Sequence, residues 1–229
     1  MEPEKAVILL SGGIDSATTA AIAIEKGFAL HALTFSYGQR HGIEIRSALS
    51  LVRFFRIKDH KIIDIPAGVF RSALTDASRA VPKNRLPGIN EIPDTYVPAR
   101  NILFLSYALA YAESIAAYHL FIGATAVDYS GYPDCRQEFF KAFQAMANIG
   151  TKTGVDGGGF FIETPLINMA KSQIIQKGAS LRVDYSLTHS CYDPDPDGLA
   201  CGACDSCLIR KKGFLEAGIP DPTKYQSGK

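Results

Sequence analysis

"VILLSGGIDSATTAA", residues 7–21, decides how this chain is read: an apolar run enters a double-glycine turn and leaves as a run with helical character. Gly12 and Gly13 allow a sharp turn after the strand, and Ser11 and Ser16 supply hydroxyls. The first N–H groups of a helix starting near Asp15 have no partner within the helix, so they point at any anion seated there. Leu10, Ser11, Gly12, Gly13, Ile14, Asp15, Ser16, Ala17 and Thr18 are therefore the candidates for a loop that grips phosphate. The Gly-Lys-Ser/Thr ending that cradles a β- and γ-phosphate in P-loop enzymes is absent. A plain strand-to-helix turn capped by Ser and Asp is the alternative, and the filled glycine and cap positions speak against it.

Outward from this loop, apolar β-rich runs alternate with helix-period runs. AVILL (6–10) is followed by a helix to Lys26 stopped at Gly27, then ALHALTFSY (29–37), a helix over 42–56 and HKIIDIP (60–66). That alternation predicts an α/β fold with a doubly wound parallel sheet. Residues 71–98, carrying Pro82, Pro87, Pro93 and Pro98, read as a long functional loop or lid. An apolar core helix begins at Arg100, and the next strand, HLFIGAT (119–125), empties into "AVDYSGYPDCRQEF". A helix to about Ile149, the strand FFIETPL and a short helix from Ala170 to Lys177 closed by Gly178 complete an α/β domain over 1–185. Residues 186–229 change character, becoming rich in Cys, Asp, Pro and Gly, and predict a small metal-stapled module ending in a charged tail, "DPTKYQSGK".

Bulk properties narrow the function classes. Among 229 residues, 47% are apolar and 21% charged, which excludes disorder as the main state. Twenty-four basic side chains against 23 acidic ones leave no electrostatic footprint for a nucleic-acid backbone, so no nucleic-acid partner is expected. No run approaches the roughly 18 apolar residues of a membrane span, and Met1 to Lys5 lead straight into a strand. The expectation is a cytoplasmic protein without a membrane partner.

Cys191, Cys201, Cys204 and Cys207 crowd into "CYDPDPDGLACGACDSC". Four thiolates complete a closed tetrahedral zinc site, and the C-G-x-C turn gives the backbone room to bend around the metal. An iron–sulfur cluster is the rival, since C-x-x-C-x-x-C also serves ferredoxins, but no other redox feature accompanies it. Cys135 stands outside the set and reads as a reduced loop cysteine.

Two further clusters complete the candidate site. In 128–136, Asp128, Ser130, Asp134 and Arg136 offer hydrogen bonds, Gly131 a turn, and Tyr129 and Tyr132 flat faces for a ring. If HLFIGAT lies beside the first strand, this loop emerges at the switch point of the sheet, where open α/β folds bind ligands; an ordinary polar loop is the alternative. Arg100 and Asn101 open one helix and Lys171 another, both places suited to meeting phosphate charge or simply to capping.

The S-G-G-x-D-S pattern resembles the pyrophosphate loop of the N-type ATP pyrophosphatases. Adding "TFSYGQRH", "VPARNILFLSYALAYAE", "DYSGYPDCR", "ETPLINMAKSQII" and "CGACDSCLIRKKGF" makes nearly the whole chain similar to one branch, the 7-cyano-7-deazaguanine synthases. The resemblance implies that the loop with Arg100 and Lys171 binds ATP, that Asp15 positions ATP or Mg²⁺, and that Asn101 and the 128–136 loop hold substrate. It also implies one structural zinc per chain and a homodimer. The implied reaction uses ATP and ammonia to turn the carboxylate of 7-carboxy-7-deazaguanine into a nitrile, with Asp134 as the candidate reader of the guanine-like edge. A tRNA-modifying adenylase would share the loop but needs a basic face, and a non-enzymatic zinc-bearing module would need neither SGYPDCR nor Arg100-Asn101.

Overall fold

The computed structural model describes residues 2–39, 42–66, 68–76, 78–86, 88, 91–127 and 132–227. Five parallel strands form one sheet in the order β3-β2-β1-β4-β5: β1 (Lys5–Leu9), β2 (Ala29–Ser36), β3 (Asp59–Asp64), β4 (His119–Phe121) and β5 (Phe161–Glu163). The chain winds outward from β1 through β2 to β3, then returns to the other side of β1 for β4 and β5. The β1/β4 border is thus the point where winding reverses, and crevices at such points open beyond the carboxyl ends of the strands. The doubly wound parallel sheet expected from the alternation is what forms.

The alternating side-chain directions of a strand explain why β1 is central. Val7 and Leu9 enter one apolar cluster with Leu33, Phe35, Leu105 and Phe140, while Ala6 and Ile8 enter the other with Ala20, Ala32 and Phe121. A strand buried on both faces reads as a continuous apolar run, as "AVILL" does. α1 (Ile14–Glu25) and α6 (Lys171–Ser180) cover the second face, and α3 (Arg100–Ser114) with α4 (Gln137–Gly150) cover the first. α2 (Ile43–Phe54) follows β2, and the one-turn α5 (Lys152–Val155) follows α4. β3, at the edge, is mostly exposed.

Three expectations change. The strands HLFIGAT and FFIETPL pair only over residues 119–121 and 161–163. Gly178 does not close its helix, because α6 runs on to Ser180. A Cβ at Gly178 would collide with the Tyr185 hydroxyl and stand 2.8 Å from Thr18 Oγ1, so this glycine is a packing notch against α1. The charged ending is also not a loose tail. Ala200 bridges Tyr225, whose hydroxyl donates to Asp221 at 2.6 Å, and Asp221 pairs with Arg210 of α7 (Asp205–Ala217) at 3.0 Å. Those contacts strap residues 221–226 onto the cysteine segment.

Candidate active site

Beyond the carboxyl ends of β1, β2 and β4 lies a cavity of about 220 Å³. Its phosphate-like end is built by the 10–16 loop. Gly13 is extended (φ −88°, ψ 171°) and no side chain caps the first turn of α1, so those N–H groups face the cavity without a protein acceptor from a capping side chain. Ser11 Oγ lies 3.2 Å from Ser16 Oγ and 3.4 Å from the Gly13 amide, which sets both hydroxyls at the mouth. Gly12 has φ +89°, and a Cβ there would run into the carbonyl oxygen of Glu44 in the first turn of α2. Gly123, just past β4, comes so close that a Cβ would stand 2.7 Å from the Asp15 carbonyl carbon. The loop is thereby clamped between α2 and β4 by backbone contact.

Lys171, the first residue of α6, is nearly buried and grips Asp15 with Nζ–Oδ1 and Nζ–Oδ2 distances of 2.6 and 2.8 Å. This cation is held at the loop before any ligand arrives, in the position where phosphate charge would be met. The segment before the cysteines also reaches the loop: the His189 amide donates to the Gly12 carbonyl at 2.9 Å.

The other end of the cavity is aromatic and carries its own charges. Tyr37, Glu44, Arg100, Phe104, Tyr132 and Tyr192 line it. Burial works against the charge of Arg100, but Tyr37, Tyr192, Cys135 and Tyr132 around it more than offset that, so its pKa lies above the ordinary arginine value. Burial pushes the Glu44 carboxyl up to about 7, with Arg100 pulling the other way. Burial pushes the Cys135 thiol up to about 12, which favours the protonated, weakly nucleophilic form.

The four remaining sulfurs meet: Cys191, Cys201, Cys204 and Cys207 offer ligand atoms all within 4.8 Å of one another. Backbone amides of Cys201 and Asp193 point at Cys191 Sγ (3.1 and 3.3 Å), and the Cys204 amide at Cys201 Sγ (3.3 Å), the pattern that supports thiolate charge. Hydrogen bonds from Cys191 and Cys207 pull the Cys204 thiol well down, while the hydrogen bond to Cys204 pushes the Cys191 thiol up, so one thiolate is shared among the hydrogen-bonded sulfurs. A soft, fourfold sulfur donor set with no open side fits a structural metal ion. Lys83 of the 71–98 segment stands over it, paired with Asp193 at 2.9 Å, and the Asn84 amide donates to Ala203 O at 2.7 Å.

Not every sequence candidate lands on the cavity wall. Leu10, Ser11, Gly13, Ile14, Asp15, Ser16, Arg100, Asn101, Tyr132 and Lys171 do. Gly12 packs behind the loop, while Ala17 and Thr18 are buried in α1, Thr18 Oγ1 sitting 2.8 Å from the Tyr185 hydroxyl. Arg136 is exposed at the start of α4, away from the cavity. Asp134 is buried and already engaged: its Oδ2 accepts from the Asn101 amide at 3.1 Å, and its carbonyl from Asn101 Nδ2 at 3.0 Å. It supplies the cap that Ala99 cannot give α3, which places it behind the cavity and against a direct role in reading a ring. Asp128, Tyr129, Ser130 and Gly131 lie outside the described residues. Sequence reading missed Tyr37, Gln39, Glu44, His189, Tyr192 and Arg210; the usable signal was that "YGQ" and Glu44 follow the carboxyl end of β2, beside the glycine loop.

The doubly wound parallel sheet with a glycine loop at its switch point is a fold of the adenine nucleotide alpha hydrolase-like class. The NMN synthetase from Francisella tularensis shares the fold, with a TM-score of 0.52 at 22% identity over 95% of this chain and 79% of that one. Residues 5–218 match the family described as queuosine biosynthesis protein QueC, and the chain belongs to that family. The 7-cyano-7-deazaguanine synthase of Desulfatibacillum aliphaticivorans is 58% identical over 98% of both chains. That of Paramagnetospirillum magneticum is 55% identical, covering 97% of this chain and 99% of its own.

Proposed function

We propose that this protein is a 7-cyano-7-deazaguanine synthase, an ATP-dependent enzyme that converts 7-carboxy-7-deazaguanine and ammonia to the nitrile. The observation that carries the reading is the joining, in one cavity at the β1/β4 switch point, of a phosphate-type loop with its Asp15–Lys171 pair and an aromatic, charged ring end. A carboxylate is a poor electrophile, so a carboxylate oxygen attacks the α-phosphorus of ATP and pyrophosphate departs. Ammonia then displaces AMP to give the amide and releases a proton. The amide oxygen attacks the α-phosphorus of a second ATP and expels pyrophosphate, and loss of AMP with the two remaining N–H protons leaves the C≡N group. Lys171 and the loop N–H groups stabilise the departing pyrophosphate, the kind of preorganised electrostatics that dominates many catalysed reactions.

Within this reading, Mg²⁺ accompanies ATP, the four cysteines hold one structural zinc, and residues 186–229 act as a zinc-stapled module on the 1–185 domain. A homodimer working in the cytoplasm, with no nucleic-acid or membrane partner, completes the proposal; among the described residues no helix is long and apolar enough to cross a membrane. The test is direct. Incubation with ATP, ammonium and 7-carboxy-7-deazaguanine should yield the nitrile with AMP and pyrophosphate, each requiring all three reactants. Pyrophosphate release that ignores the deazaguanine but follows a tRNA would favour a tRNA-modifying adenylase instead.

A further inference from the structure

With Asp134 turned inward, the cavity needs another group to read the hydrogen-bonding edge of its substrate. Besides Asp15, which is already neutralised by Lys171, Glu44 is the acidic side chain among the described residues of the cavity wall. It sits on the first turn of α2, held at a fixed height because the Glu44 carbonyl rests against Gly12 of the loop. A smaller recess adjoining the main cavity has Tyr37, Gln39, Glu44, His189, Cys191 and Tyr192 among its lining residues. Gln39 cannot serve there as the reader, since its amide is spent on the backbone of Tyr37 and Phe35 at 2.7 and 3.0 Å. Among the described residues no donor reaches the Glu44 carboxylate, and the charge acting on it is that of Arg100.

A half-buried carboxylate with no donor among the described residues can take its donors from a ligand. A metal ion would have to sit beside the Arg100 guanidinium, where like charges repel; neutral N–H donors face no such cost. The aromatic walls suit a flat ring: Tyr37 is buried and packs edge-on to Phe104 at 5.4 Å. The 2-aminopyrimidinone half of a 7-deazaguanine offers two N–H groups side by side, from N1 and the 2-amino nitrogen, matching the two oxygens of one carboxylate. We propose that Glu44 is the specificity-determining residue that accepts both of these N–H bonds and so selects a guanine-type ring. This rests on the functional reading above and adds to it the group that identifies the ring.

The test measures binding of 7-carboxy-7-deazaguanine and of its analogue lacking the 2-amino group to the zinc-loaded protein, with ATP binding followed in parallel. The wild-type protein should prefer the parent ligand by about 10–100-fold, the usual scale when a buried polar group loses its partner. E44Q should lose that preference, weakening the parent by about the same factor while ATP affinity stays within about twofold. E44D, which keeps the charge but shortens the reach, should retain part of the preference and guards against a folding defect in E44Q. A preference undiminished in both variants, or an equal loss for both ligands and ATP, overturns the role of Glu44. Wild-type protein that binds neither deazaguanine overturns the functional reading itself.

Discussion

The two ends of the cavity are built in different ways. The phosphate end is made from one contiguous stretch, residues 10–16, with one distant side chain, Lys171, already locked onto Asp15. The ring end draws Tyr37, Glu44, Arg100, Tyr132 and Tyr192 from five separate segments, and its central carboxylate has no donor among the described residues. The first is finished before ligand arrives, and its chemistry calls for that: pyrophosphate departure needs fixed positive charge and fixed N–H dipoles, with no reorganisation at the moment of reaction. The second holds a carboxylate without a donor among the described residues and, on the proposal above, gains its partners from the ligand. On the proposed function, preorganisation serves rate at one end, and a half-buried carboxylate serves selection at the other.

Lys171→Met should break the phosphate end most severely. Pyrophosphate formation should fall by about 10²–10³-fold, the scale of removing one preorganised electrostatic group. Stability should change little, because the Asp15 side chain left behind is about one-fifth exposed and can be hydrated. Thermal melts beside pyrophosphate assays check both; a loss of stability proportional to the loss of rate would mean the pair is structural and the contrast between the two ends false.

Disrupting the four-cysteine site should reach the same end indirectly. Cys204→Ala, or stripping with a strong chelator, deletes a thiolate or the ion from a closed site, and the stapled segment should lose its fold. The segment's links run straight to the loop: His189 donates to Gly12, and Arg210 holds Thr188 Oγ1 at 2.9 Å and the Tyr185 carbonyl at 3.2 Å. ATP affinity should therefore fall about tenfold, the cost of one or two lost positioning contacts, and metal analysis of the active protein should return zinc. Iron with acid-labile sulfide, or unchanged ATP affinity in the stripped protein, would cut the proposed link between the cysteines and the loop.

How legible each end was in the sequence follows from the same difference. The glycine loop, and Lys171 at a helix start, could be read because local order places them. Asp134 was misleading because a sequence shows a carboxylate in a polar loop but not the uncapped amide of Asn101 that claims it. Glu44 stayed hidden because it lies in no motif, within the first turn of an ordinary amphipathic helix, and only the fold brings it opposite Arg100. Gly178 shows the same limit on a smaller scale: a glycine that ends a helix and one that admits a neighbouring tyrosine are identical on paper. The doubly wound sheet was legible because β1 is apolar on both faces, which demands a covering layer on each, whereas the place of HLFIGAT beside β1 stood only as a condition until the structure paired them.

The smallest expected effect is the cost the ring end imposes on the empty protein. Burial raises the Glu44 pKa from the ordinary carboxylate value of 4.5 to about 7. Between those values the folded chain holds a proton that the unfolded chain has released, so folding stability of the wild type declines as pH rises through that window and levels off above it. Glutamine at 44 does not titrate and escapes the decline. E44Q and wild type should therefore have nearly equal stability below about pH 4.5, and the variant should pull ahead by roughly 2 kcal/mol by pH 8, less than the full shift implies because the side chain keeps some contact with water. Denaturant melts at pH 5 and pH 8 read the difference directly. Saturating 7-carboxy-7-deazaguanine should stabilise the wild type more than E44Q at pH 8, because the carboxylate then has its N–H partners. A gap that does not widen with pH would show that the Glu44 carboxylate is hydrated in the empty cavity, and the ring end would then be no less satisfied than the phosphate end.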